Sequence, residues 1–207
     1  MVVIPLSMVA FFIWPPFPDD ILAVIQEDRL AGLMSLDFPY LLASAFGIPF
    51  FLVLYVTLRK VDESWAVIAL TLGFLGLASI VPSRPIVEMF SLSDQYAAAT
   101  TDAQRGVYLS AAEATLAAFH GTAFHVHYIL GSASLLISSF LMLRSEIFGE
   151  RTAHVGIVTN IVVFGLYVPA IGVYLSLLSV VGYLIWYVLI ARSLFKLGWR
   201  ESNEHGT

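Results

Sequence analysis

Cysteine is absent from the 207 residues. Disulfides, thiolate metal sites, palmitoylation and prenylation are excluded with it. Charge is scarce as well. Only 12% of the residues are Asp, Glu, Lys or Arg, against roughly a quarter in soluble domains. The formal net charge is −5, and no basic tract or aromatic-basic pattern points to nucleic acid. Lys60 and Lys196 are the only lysines. Both fall at the edges of apolar runs, so a retinal-type Schiff base has no mid-span amine. No GxSxG elbow, P-loop, HExxH or dinucleotide fingerprint occurs. Internal repeats and low-complexity tracts are missing too.

Apolar residues take up 59% of the chain, and the mean hydropathy is +0.87. A soluble fold of this size has too little interior to hide that much apolar surface. Lipid is the economical solvent, which makes this an integral membrane protein. A spanning helix needs about 20 mostly apolar residues. Five stretches qualify: 38–58, 65–81, 121–143, 153–168 and 170–191. The last two are joined by the tight turn "YVPAIG", which predicts an antiparallel hairpin. The N-terminal run 1–14 is apolar but short. It rises only about 21 Å as a helix, against a core of about 30 Å. It reads as a first span that is short, tilted or incomplete upstream, since a secretory signal would carry a basic flank and a cleavage site.

The expected fold is therefore all-α: one integral membrane domain over 1–207, a polytopic transmembrane bundle of six spans, with five as the alternative. One set of flanks carries Arg59, Lys60, Arg144, Arg151, Arg192, Lys196 and Arg200; the other carries Arg29, Arg84 and Arg105. The richer side should be cytoplasmic. The localisation expected is the inner (plasma) membrane, with the C-terminus cytoplasmic. Two further segments read as short amphipathic helices at the outer surface. In "PDDILAVIQEDRLAGLMSLD" the stripe is Ile21, Leu22, Ile25 and Leu30. In "TDAQRGVYLSAAEATLAAF" it is Leu109, Ala112, Leu116 and Phe119, behind a Thr101–Gln104 capping box.

The stretch "FHGTAFHVHYILGS" places His120, His125 and His127 at the head of a span. On a continuous helix His120 and His127 lie within about 20° of each other, and His125 about 140° from His120. One face then carries Glu113, His120, His127, Ser134 and Ser138. Such a face points into a bundle rather than at lipid. Metal binding fits poorly, because chelation on a helix uses i,i+3 or i,i+4 pairs. His120 and His127 are about 10 Å apart along the axis. A site would need Asp37, Glu88 or Asp94, or a helix break at Gly121. Haem lacks a second axial histidine, since His154 belongs at the opposite end. Arg84 and Glu88, one helical turn apart, read as an interfacial ion pair. Asn160 is the costliest neutral residue in the apolar runs and must have a partner.

The second half resembles a known family. "FHGTAF", "LGSASLL", "FLMLRS", "TAHVGIVTN", "FGLYVPAIG" and "IWYVLIARSLF" are similar to segments of an uncharacterised family of small prokaryotic membrane proteins, domain of unknown function 4386. The resemblance covers roughly the C-terminal half. It implies a membrane domain of about six spans and carries over no activity.

Three functional readings follow from the residues. The first is a non-enzymatic protein that binds or passes a small molecule, a lipid or a proton. Its polar cavity would lie in the outer half, lined by Glu113, His120, His127 and Asn160. The second is a structural or accessory membrane subunit without a ligand, its small and polar residues serving helix packing. The third is an intramembrane, metal-dependent enzyme. No catalytic residue, metal ligand or cofactor is assigned. The partners expected are the lipid bilayer and a small molecule or partner membrane protein.

Overall fold

A computed structural model describes the backbone of residues 20–204 and the side chains of 20–199. The N-terminal run 1–14 lies outside the described residues. The protein is all-helical, without a strand among the described residues. Four helical stretches are long and apolar enough to cross a membrane: Phe38–Leu58, Glu63–Ala98, Asp102–Met142 and Gly172–Trp199. The described chain divides into two compact units. One comprises the residues up to Ile48 with Gly76–His127; the other comprises Pro49–Leu75 with the chain from Tyr128 onward.

The helices in chain order are α1 (Ile21–Glu27), α2 (Arg29–Ser35), α3 (Phe38–Ala45), α4 (Gly47–Leu58), α5 (Glu63–Ile80), α6 (Ile86–Ala98), α7 (Asp102–Leu116), α8 (Thr122–Met142), α9 (Glu150–Val163) and α10 (Gly172–Glu204). Short 3₁₀ turns cover Val81–Ser83, Ala117–His120 and Phe164–Tyr167. Most of the interruptions have local causes. Pro49 has no N–H for the Ala45 carbonyl, and the α3/α4 break falls just before it. Pro82 and Pro85 end α5 and delay α6. Gly121, in extended backbone at φ −79° and ψ −169°, separates the 3₁₀ turn from α8.

The first unit has a small core of its own. Ile21, Leu22, Ile25, Leu36, Met89, Ala112 and Phe119 are buried together. The expected first amphipathic helix is in fact two. Asp28 stops α1 and caps α2, its carboxylate accepting from the Leu30 and Ala31 amides at 2.8 and 3.1 Å. The break changes the helical phase, so Leu30 leaves the stripe and is 59% exposed. On α7 the Thr101 hydroxyl accepts from the Gln104 amide, as the capping box requires. Gln104 in turn bonds the Thr100 amide rather than that of Thr101. Leu109 is exposed, whereas Ala112 and Phe119 are buried.

In the second unit α9 and α10 form an antiparallel pair. Gly156 meets Trp186, Thr159 meets Gly182, and Asn160 bonds Tyr183. Advancing along one helix retreats along the other, the register of the hairpin read from "YVPAIG". Small residues permit the approach: a Cβ added at Gly182 would run into Thr159, and one at Gly156 into Ser139 and Trp186. The turn itself holds Ala170 at φ 67°, with the Ile171 amide donating to the Pro169 carbonyl at 2.9 Å. Two expectations are adjusted in length. The stretch expected at 153–168 is a 14-residue α-helix followed by a four-residue 3₁₀ turn. The last helix runs to Glu204, 33 residues in all.

Candidate functional site

A buried ion pair in the first unit centres on Arg84. Proline sets its backbone. A residue before proline is driven from the helical region, and Arg84 adopts φ −123° and ψ 73° between the Val81–Ser83 turn and α6. Pro85 follows in a tight three-residue turn, the Ile86 amide donating to the Arg84 carbonyl at 2.8 Å. The guanidinium is thus turned inward, and the Arg84 side chain is only 5% exposed.

Its counter-ion is Asp37. Nε and Nη2 of Arg84 donate to Asp37 Oδ2 at 3.0 and 2.8 Å. Nη1 donates to the Ser83 hydroxyl at 3.0 Å, and to the Ser83 and Phe119 carbonyls at 3.2 and 3.3 Å. Those two carbonyls close the C-terminal ends of two 3₁₀ turns, where a cation is favoured. The rings of Phe119, Tyr40 and Phe124 lie 5.1, 5.5 and 5.9 Å from the guanidinium carbon, within cation–π range. Asp37 sits in the left-handed region at φ 62° and ψ 28°, ahead of α3. Asp tolerates that conformation better than most residues. Its carboxylate makes no cap bond to α3 and goes to Arg84 instead.

Burial raises the Asp37 carboxyl above its ordinary value of 3.8, outweighing the Arg84 charge and hydrogen bonds and the His120 charge, which pull it down. Both Arg84 bonds fall on Oδ2, and the side chain is 23% exposed.

Tyr40 links this pair to a histidine. Its ring lies beside Arg84, and its hydroxyl is 2.8 Å from Nε2 of His127. Nδ1 of His127 is 2.8 Å from the Gly76 carbonyl, which can only accept. Nδ1 therefore carries the hydrogen. Neutral His127 then accepts from the Tyr40 hydroxyl through Nε2. The Asp37–Arg84 ion pair and the Tyr40–His127 hydrogen bond meet where the guanidinium lies beside the Tyr40 ring, and the set ends on the Gly76 carbonyl.

The residues singled out from the sequence fare differently. Glu113 is exposed on α7. His120 is exposed at the end of its 3₁₀ turn, its ring 5.8 Å from that of Phe124. Because the helix breaks at Gly121, Glu113, His120 and His127 do not share one helical face. His125 is half-buried beside Phe124. Asn160 belongs to the second unit. It is fully buried, its Nδ2 donating to the Gly156 carbonyl and its Oδ1 accepting from Tyr183, both at 2.8 Å. Ser134 donates to the Ala69 carbonyl, whereas Ser138 bonds within its own helix. His154 is bonded to the Glu150 carbonyl of its own helix. Among the described residues no three His, Asp or Glu are grouped to hold a metal ion.

The ion pair corrects one expectation. Arg84 pairs with Asp37 and not with Glu88, which is exposed. The two prolines remove the helical spacing on which the Glu88 pairing depended. The signal available in sequence was "SRP" itself: an arginine held off the helix by a proline needs a partner from elsewhere in the chain.

No family model, curated protein or solved structure matches the chain.

Proposed function

We propose that this is a multi-pass inner-membrane protein of a prokaryote, similar to the uncharacterised family named above, that binds or passes a small molecule, a lipid or a proton. The observation carrying this reading is the contiguous set Asp37, Arg84, Tyr40 and His127. Ionisable groups beside apolar helices are costly to retain, and they mark ligand or proton paths more often than they serve packing alone. An aspartate with a raised proton affinity and a partly exposed side chain is equipped to take up a proton or a hydrogen-bonding ligand.

Six spans, with five as the alternative, and a cytoplasmic C-terminus complete the proposal. The four long apolar stretches support its first part. The α9 helix with its 3₁₀ turn reaches about 29 Å, close to one hydrocarbon thickness. The Lys and Arg distribution supports the orientation.

A second reading, the accessory subunit, is favoured by a different observation. Both ring nitrogens of His127 and both ends of the Asn160 amide are satisfied by protein groups. The experiment is native mass spectrometry from mild detergent, followed by proteoliposomes holding a pH-sensitive dye. The binding reading expects a bound small molecule or dissipation of an imposed pH gradient, lost in Asp37→Asn and His127→Leu while both variants stay folded at the assay temperature. A bare protein, inert in liposomes, whose two variants unfold would refute it. Stable co-purification of a membrane partner would favour the subunit.

A further inference from the structure

The last helix, Gly172–Glu204, is too long for a bilayer core. Its 33 residues rise about 50 Å, against a core of about 30 Å. About 20 residues suffice to cross, which brings the core boundary to Arg192 when the crossing starts at Gly172. The next two turns would then lie at headgroup depth. There the helix presents Phe195 at 82% and Trp199 at 71% exposure. Arg192 and Lys196 are exposed too. On a helix these four residues fall within an arc of about 100°. On the side of Phe195 away from the two cations the surface is open: a Cβ added at Gly198 would meet nothing within 4 Å. Leu194, Phe195, Gly198 and Trp199 line a shallow apolar notch there.

An ordinary solvated helix end accounts for the two cations but not for two large aromatic side chains on the same arc. We infer that this face of the last helix is a binding site for an anionic phospholipid. Arg192 and Lys196 would hold the headgroup phosphate, and Phe195 and Trp199 would pack against the rest of the headgroup region at the same depth. Aromatic residues settle at the membrane–water boundary because one part of the ring is apolar and another polar. Cations placed just beyond the core are drawn to anionic headgroups. A basic pair with exposed aromatic rings beside it matches the headgroup region of such a lipid. The site uses none of the Asp37–His127 group and stands whether or not that group has a ligand.

The test titrates the full-length protein in mild neutral detergent with phosphatidylglycerol and, separately, with phosphatidylcholine of the same chains. Bound lipids are counted by native mass spectrometry. The wild type should hold phosphatidylglycerol in preference to phosphatidylcholine, and the preference should shrink as salt rises from about 50 to about 500 mM. The R192Q/K196Q variant should weaken phosphatidylglycerol binding about thirtyfold at low salt, two surface cations' worth. R59Q/K60Q, altered at another basic turn, should retain the binding. Equal retention of the two lipids by the wild type would overturn the inference, and that measurement needs no variant. So would R192Q/K196Q binding like the wild type, or a dimer that W199A separates, which would give the face to a second copy.

Discussion

Replacing Arg84 by leucine tests the buried pair directly. The substitution keeps a side chain among Phe119, Tyr40 and Phe124 but removes the charge and five hydrogen bonds to Asp37, Ser83 and Phe119. Breaking a buried ion pair by deleting one partner costs about 3–5 kcal/mol, mainly because the other charge is stranded. Asp37 is not wholly stranded. It is 23% exposed and its proton affinity is already raised by burial, so it can neutralise itself. That argues for the lower end, about 3 kcal/mol near neutral pH. The pH dependence follows from the same group. Losing Arg84 removes a charge that lowers the Asp37 pKa, so the folded value moves further above 3.8. A folded pKa above the unfolded one adds stability at low pH that is lost as pH rises through the folded value. The cost of Arg84→Leu should therefore be smallest near pH 4 and grow toward neutrality. Chemical or thermal unfolding in mild detergent would measure it, with Asp37→Asn and the double variant completing a cycle. The double variant should be less damaged than the two singles added together. A single-variant cost below about 1 kcal/mol, or one independent of pH, would refute the reasoning.

Three other outcomes are expected. Tyr40→Phe deletes the donor to His127 Nε2 and should cost about 1–2 kcal/mol in the same unfolding assay; an unchanged midpoint would mean water replaces the hydroxyl without loss. Gly156→Ala drives a methyl group into Ser139 and the Trp186 ring, whose indole N–H has no acceptor among the described residues. Despite alanine's better helix propensity it should destabilise by about 1–3 kcal/mol, and a raised melting temperature would show that the helix pair can part freely. Ala170→Gly relieves a positive φ of 67° and should stabilise by about 1 kcal/mol, seen as a higher melting temperature.

Much of the architecture was legible in the residues one by one. Composition demanded an apolar environment, and the runs at 38–58 and 65–81 correspond to Phe38–Leu58 and Glu63–Ile80. Thr101 and Gln104 marked the start of α7, and "YVPAIG" marked the turn of the α9–α10 pair. These features are local: a proline, a cap or an apolar run acts through neighbours within a turn or two. The failures are local in origin as well. Treating 113–134 as one helix aligned Glu113 with His127, and treating 84–88 as helix paired Arg84 with Glu88. Gly121 in the first case, and Pro82 with Pro85 in the second, ended the periodicity on which the alignment rested.

Which groups finally meet was a matter of tertiary structure alone. Asp37 and Arg84 are 47 positions apart, Tyr40 and His127 are 87, and Tyr183 reaches Asn160 from 23 positions away. The sequence by itself required that a buried arginine, histidine and asparagine each find a partner, because an unpaired polar group away from water is costly. It left the choice among many carboxylates, hydroxyls and carbonyls open. Packing made that choice, since a side chain's reach covers a few ångströms in space and takes no account of distance along the chain.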